Sequence, residues 1–358
     1  MSRYEARLER DLGQIRDQLT NLAEAVQTAV ETATLALFSG DHELSYNACL
    51  ADHPINRASR ALDKTCLGFI AVHLPSAGHL RFVSAVMHVN IELERIGDYA
   101  KTISRESVQL DQPPVGAIRG QLEQVSMEAR SILQRAVTAF VDGNADEARA
   151  GIRAASAAGR QIKTGFTSIV DEEGSASVRE LLCHLVILNS FDRIIDQAKN
   201  TCEEAIFAVT GETKAPKSYR VLFLDEDNSI LGPMAQAISQ RNHPQSGQYD
   251  TAGRQAADAF QEGLGPYLED RGIETQSTSP QTLDPALDLV DYHVIVSLQG
   301  SVTDYIDTVP FATIALNWDL EAQLPEDPAD RLESLYRCLA PQLRDLMVTL
   351  RGEETSSP

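Results

Sequence analysis

Apolar residues recur at three- to four-residue steps through the first 212 positions, the period of one helix face. Leu8, Leu12, Ile15, Leu19, Leu22, Val26, Val30 and Leu37 mark a first helix over about 4–38. Gly40-Asp41 stops it and starts a second over about 41–73, with an interruption expected near Pro54, because proline cannot donate to the preceding turn. Pro75-Ser76-Ala77-Gly78 turns the chain into a third helix over about 79–110, and Gln112-Pro113-Pro114 breaks it. The plan then repeats, with helices over about 116–142, 145–171 and 177–210 and turns at Gly143-Asn144 and Glu173-Gly174-Ser175. Short connections between long helices predict antiparallel neighbours, hence tandem three-helix bundles over 1–112 and 113–212.

After a polar linker, 213–218, the pattern changes. Arg220–Leu224 reads as a buried strand, followed by an acidic loop and a helix over about 231–241. Further strands are expected at 248–251, 292–297 and 312–316, with helices between them and a last helix over about 329–350. Alternating strand and helix predicts a small α/β domain with a parallel sheet over 219–352.

The two bundles repeat more than their helices. Glu94-Arg95-Ile96-Gly97-Asp98 and Asp192-Arg193-Ile194-Ile195-Asp196 lie 98 residues apart, and Arg81, Ala100 and Lys101 fall on Arg179, Ala198 and Lys199 at the same offset. Such a repeat implies two equivalent helical units. Each holds two carboxylates four residues apart on one helix face, which costs about 0.2–0.5 kcal/mol in repulsion. An isolated pair of this kind usually marks a solvated face; the repeat favours a shared use. Carboxylate oxygens are ligands for hard cations, and for iron or manganese where helices converge. His79, His88 and His184 are candidate extra ligands, although a lone helical histidine is more often simply packed. Glu92, two residues from Glu94, reads as an ordinary surface acid.

Charge separates the two parts. Residues 218–358 hold 23 acids against 8 bases, and residues 1–217 hold 29 against 23, within a net charge of −21. That balance argues against nucleic acid, which needs a basic patch. The longest apolar runs are too short to span a bilayer, and the N-terminus lacks the apolar core of a signal peptide. Five scattered cysteines, with no CxxC, fit reduced packing thiols. The expectation is a soluble cytoplasmic protein.

The turn Pro75-Ser76-Ala77-Gly78-His79-Leu80-Arg81-Phe82 and the helix segment Glu94-Arg95-Ile96-Gly97-Asp98-Tyr99-Ala100 make residues 1–212 resemble the PhoU family of phosphate-signalling regulators. His79 departs from the family's usual aspartate. The resemblance implies metal sites at Glu94/Asp98 and Asp192/Asp196 holding a multinuclear cluster of iron, zinc or manganese. It also implies negative regulation of phosphate uptake and the starvation response by contact with a phosphate ABC transporter ATPase and a sensor histidine kinase. A homodimer is implied too, with the membrane reached only through partners.

Residues 219–352 resemble the low-molecular-weight tyrosine phosphatase and arsenate reductase superfamily. The likeness lies in Val221 to Ala235, Thr251-Ala252-Gly253, Asp291 to Ile295, Asn317-Trp318 and Asp327-Pro328. Two departures decide the expected chemistry. Asp225 stands where that family has its nucleophilic cysteine, and Leu231 where it has the arginine that clamps the oxyanion. Asp225, Glu226 and Asp227, ahead of Asn228 and Ser229, would repel a dianion from the helix N-terminus. Asp327, at the family's general acid, would have no partner to serve. The expectation is a catalytically dead, phosphatase-like module. Two rivals stay open at this point: an aspartate-nucleophile phosphatase using Asp225 with magnesium, and a response-regulator receiver. Neither finds its further motifs in this sequence. Incidental metal binding by the three acids also stays open.

Overall fold

The computed structural model describes residues 3–170, 177–214, 217–275, 278–320 and 331–351, with backbone alone at 161 and 163–170. The chain divides into two compact units, Met1–Lys214 and Ala215–Pro358. No helix among the described residues is long and apolar enough to cross a membrane.

The first unit is built from α1 (Arg3–Ser39), α2 (His42–His73), α3 (Ala77–Ser107), α4 (Gly116–Val141), α5 (Ala145–Val170) and α6 (Val178–Thr210). Local chemistry sets their ends. Asp41 accepts the amides of Glu43 and Leu44 at 2.9 and 3.1 Å, satisfying donors that the first turn of α2 leaves open. Ser177 and Glu180 form a reciprocal capping box at the start of α6, and Gly211 ends that helix at φ 80°. The interruption expected at Pro54 does not occur, because α2 runs through it. Asp52 and Ile55 on either side are buried at 3% and 1% exposure, so packing holds the turn that proline weakens.

Helices α1–α3 pack on one another, as do α4–α6, and α3 lies along α6 to join the two bundles. Leu12, Ile15, Leu93, Ile96, Phe191 and Ile194 are among the fully buried residues of one continuous core. Burial also pushes the thiols of Cys66 and Cys202 up to about 12, leaving them as apolar packing groups.

The second unit holds a parallel sheet of β1 (Tyr219–Asp225), β2 (Gly247–Gly253), β3 (Val294–Ser297) and β4 (Ile314–Asn317), in the order β2-β1-β3-β4. Helices α7 (Leu231–Asn242) and α9 (Arg331–Arg351) pack together. They share a core with Val221, Phe223, Val294 and Val296. Leu222, Leu224 and Ile295 form a second core with Tyr292, Val302 and Ile306 from the loops. The full helices expected between the later strands are absent among the described residues. Only the short α8 (Leu264–Glu269) and two 3-10 turns, Leu289–Asp291 and Val302–Asp304, lie there. Pro266, Pro280, Pro285 and Pro310 punctuate these stretches too often for a long helix.

Candidate functional site

In α3 the buried stripe of Leu93, Ile96, Gly97 and Ala100 faces the core. Gly97 sets how closely α2 approaches, since a Cβ there would stand 3.2 Å from Cγ2 of Ile55. One turn before Ile55, α2 supplies Asp52 to the acid pair of α3. Its Oδ2 accepts from Lys101 Nζ at 2.6 Å and from Asn56 Nδ2 at 3.1 Å. Its Oδ1 is buried and receives no N–H or hydroxyl donor, and the carboxyl of Asp98 lies beside Asp52. Asp98 is exposed, and its carboxyl is raised above the usual range by desolvation, then by repulsion from Asp52 and a hydrogen bond with it. Glu94 is raised likewise, by desolvation first and then by Asp98 and Asp52. The three carboxyls thus interact electrostatically, with buried Asp52 facing the partly buried Glu94 and the exposed Asp98.

The second repeat is arranged differently. Asp196 is half exposed, and its Oδ2 accepts from Arg193 at 3.1 Å. Asp192 is partly buried. Position 195, matching Gly97, is a buried isoleucine, and the residue as far into α5 as Asp52 is into α2 is buried Ala155. Among the described residues, no three or more His, Cys, Asp or Glu side chains stand at metal-binding spacing.

The histidines lie elsewhere. His88 bonds Glu204 across the α3–α6 seam at 3.1 Å, and His184 is buried in α6. His79 sits partly buried in the first turn of α3. Glu92 is not the surface acid expected. It faces α6, with its side chain 14% exposed, and accepts from Asn200 at 3.4 Å. Burial there raises its carboxyl above the ordinary range.

In the second unit, the three consecutive acids take three separate positions. Asp225, at the end of β1, is 1% exposed. Its Oδ1 accepts the Asn228 amide and its Oδ2 the Gly232 amide, each at 2.8 Å. Asp227 turns back to accept the amide and hydroxyl of Ser229 at 2.9 and 2.8 Å. Glu226 is half exposed and pairs with Arg254 at 3.4 Å. Leu231 is buried, so nothing cationic occupies the position of the expected clamp. Asp327 lies outside the described residues.

The PhoU domain model matches residues 19–107. A phosphate-specific transport system accessory protein PhoU homolog of Pseudomonas putida is 29% identical over 206 residues, 56% of this chain and 80% of that protein. The crystal structure of PhoU from Pseudomonas aeruginosa aligns with a TM-score of 0.54 at 28% identity, over 57% of this chain and 99% of that one. An arsenate reductase from Archaeoglobus fulgidus aligns over 37% of this chain and 99% of its own, at 24% identity and a TM-score of 0.27. The first helical repeat carries a PhoU domain, and PhoU homologues match the N-terminal half of the chain.

Proposed function

We propose that this chain is a PhoU-like accessory regulator of phosphate transport that acts through protein contacts and binds cations on its repeated acidic helix faces. The PhoU domain and the phosphate-transport names of its relatives support the regulatory role. The single observation that carries the cation site is the buried Oδ1 of Asp52, met by no N–H or hydroxyl donor, beside the Glu94 and Asp98 carboxyls, which desolvation and mutual repulsion raise. Asp52, Glu94 and Asp98 are the residues that would hold a metal in the first repeat, and Asp192 and Asp196 in the second. A bound iron, zinc or manganese centre would supply positive charge to a docking face. The proposed partners are a phosphate transporter ATPase and a sensor histidine kinase, and a second copy of this chain.

The sign of the pH dependence follows from the raised carboxyls. Such groups favour the fold when protonated, so their contribution is complete below the unfolded value and is lost as pH rises through the folded one. A divalent cation relieves the same repulsion at neutral pH. Manganese or zinc is therefore expected to raise the melting temperature at pH 7 and to do little near the ordinary carboxylate range. Equal stabilisation at both pH values would contradict a site on these acids.

The second unit is read as a non-catalytic module. Both oxygens of Asp225 accept backbone amides, so neither is presented to attack phosphorus. The test is turnover of an aryl phosphate with magnesium by the purified chain. None is expected; turnover abolished by Asp225→Asn would make this unit an enzyme.

The regulatory role is tested in cells lacking the protein. Wild type should restore repression of phosphate-responsive genes, and a folded Asp52/Glu94/Asp98 triple-alanine variant should not.

A further inference from the structure

Parallel strands are normally buried on both faces, and proteins guard the open edges of a sheet with charge, proline or a covering segment. The sheet of the second unit guards one edge and leaves the other bare. Along β2 runs the stretch Gln281–Leu283: the Gly253 amide donates to the Gln281 carbonyl at 2.7 Å, and the Leu283 amide to the Gly253 carbonyl at 2.8 Å. At the opposite edge, β4 has β3 as its one neighbour among the described residues. We propose that the outer edge of β4 is a docking strand for an extended basic segment of a partner protein, which adds a fifth strand to the sheet. Neither the cation sites of the first unit nor the catalytic state of the second enters into it.

Three observations carry it. The first is exposure. Every residue of β3 is buried, whereas Ile314 of β4 is 53% exposed and Ala315 and Asn317 are exposed as well. An apolar strand this open is without the cover that a parallel sheet ordinarily has among its described residues. The second is the direction of its backbone groups. The Ile314 and Trp318 amides donate inward to the carbonyls of His293 and Ser297, each at 2.9 Å. Successive residues alternate, so the Ala315 and Asn317 amides turn outward, and no hydrogen bond among the described residues reaches either. The run from Ile314 to Trp318 is about as long as an ordinary strand. It holds neither charge nor proline to deter pairing. The third is charge, which selects the occupant. Between Arg271 and Arg331 the chain carries eleven acids and no lysine or arginine, and Asp319 directly follows the run. A second copy would bring the same negative field to the edge. A strand with lysine or arginine beside its apolar residues instead meets the bare backbone with hydrogen bonds and the acidic surround with opposite charge.

The experiment measures binding of two short peptides to the full-length protein, one with lysines flanking an alternating Val/Thr core and one with glutamates in their place. The lysine peptide should bind about tenfold tighter or more, with the preference narrowing as salt rises. On binding, the Ala315 and Asn317 amides should exchange with solvent more slowly, which charge attraction alone would not cause. Ala315→Pro removes an outward donor and leaves the bonds to β3 in place. It should fold, and bind the lysine peptide about ten- to a hundredfold more weakly. Failure of the lysine peptide to bind, equal binding of the two peptides, binding that leaves both amides unprotected, or a folded Ala315→Pro that binds as wild type does overturns the docking strand. If Ala315→Pro does not fold, amide exchange in wild type decides. Two further outcomes overturn the basic occupant. Amides already protected in the free monomer would put a segment of this chain on the edge. A dimer that Ala315→Pro disperses in sedimentation would put a second copy there.

Discussion

Phe191→Ala is expected to cost the helical unit about 3–5 kcal/mol, the range for emptying a large aromatic site in a packed core. Phe191 is fully buried, and α6 packs against α3, α4 and α5, so few neighbours can collapse into the space without moving a helix. It also directly precedes Asp192. The same helix turns Phe191, Ile194, Ile195 and Ala198 inward and its acid pair away from the core. Chemical denaturation should report the loss as a lower midpoint with an unchanged slope. Phe191→Leu, which keeps most of the volume, should recover the larger part. A loss well below 1 kcal/mol would mean that α6 is not the central helix of this core.

Lys101→Ala should be comparably severe, because removing one partner of a buried ion pair typically costs about 3–5 kcal/mol. Lys101 is 20% exposed and Asp52 3%, and their contact is 2.6 Å. Without the lysine, buried Asp52 is left repelled by partly buried Glu94 and exposed Asp98 with no cation in contact with it. Lowering the pH should shrink the deficit, since Glu94 and Asp98 already hold their protons more tightly than ordinary carboxyls. Manganese or zinc should shrink it at neutral pH as well. Thermal unfolding across pH, with and without cation, checks both. A deficit that neither acid nor cation reduces would place the lysine's role in packing alone.

Much of this arrangement was legible because helices announce themselves by period and punctuation. Asp41, Ser177 and Gly211 end their helices through local hydrogen bonds that the sequence spells out. Pro54 misled because its local cost is real, yet Asp52 and Ile55 bury the same turn. Glu92 was misjudged for a related reason. Its angle from Glu94 is fixed by the helix, but its burial depends on α6, 108 residues along the chain at Asn200.

Asp52 was missed because it sits on a different helix and has no acidic counterpart in the repeat, where the matching residue of α5 is Ala155. Its one signal was Asp52-x-x-x-Asn56 on the face that also carries Ile55 and Ser59, both buried. In the second unit, the strand ending in Asp225 was plain, but the carboxylate's inward turn was not. Adjacent acids read as shared charge, and only the loop backbone separates one inside from one outside.

The measurement that bears most directly on the cation-binding claim is elemental analysis of the purified full-length protein after reconstitution with iron, zinc and manganese. It compares wild type with a variant carrying alanine at Asp52, Glu94, Asp98, Asp192 and Asp196. Stoichiometric metal is expected in wild type and its loss from the folded variant. Wild type that stays metal-free, or a variant that keeps the full load, would contradict it and leave the acidic faces as docking surfaces alone.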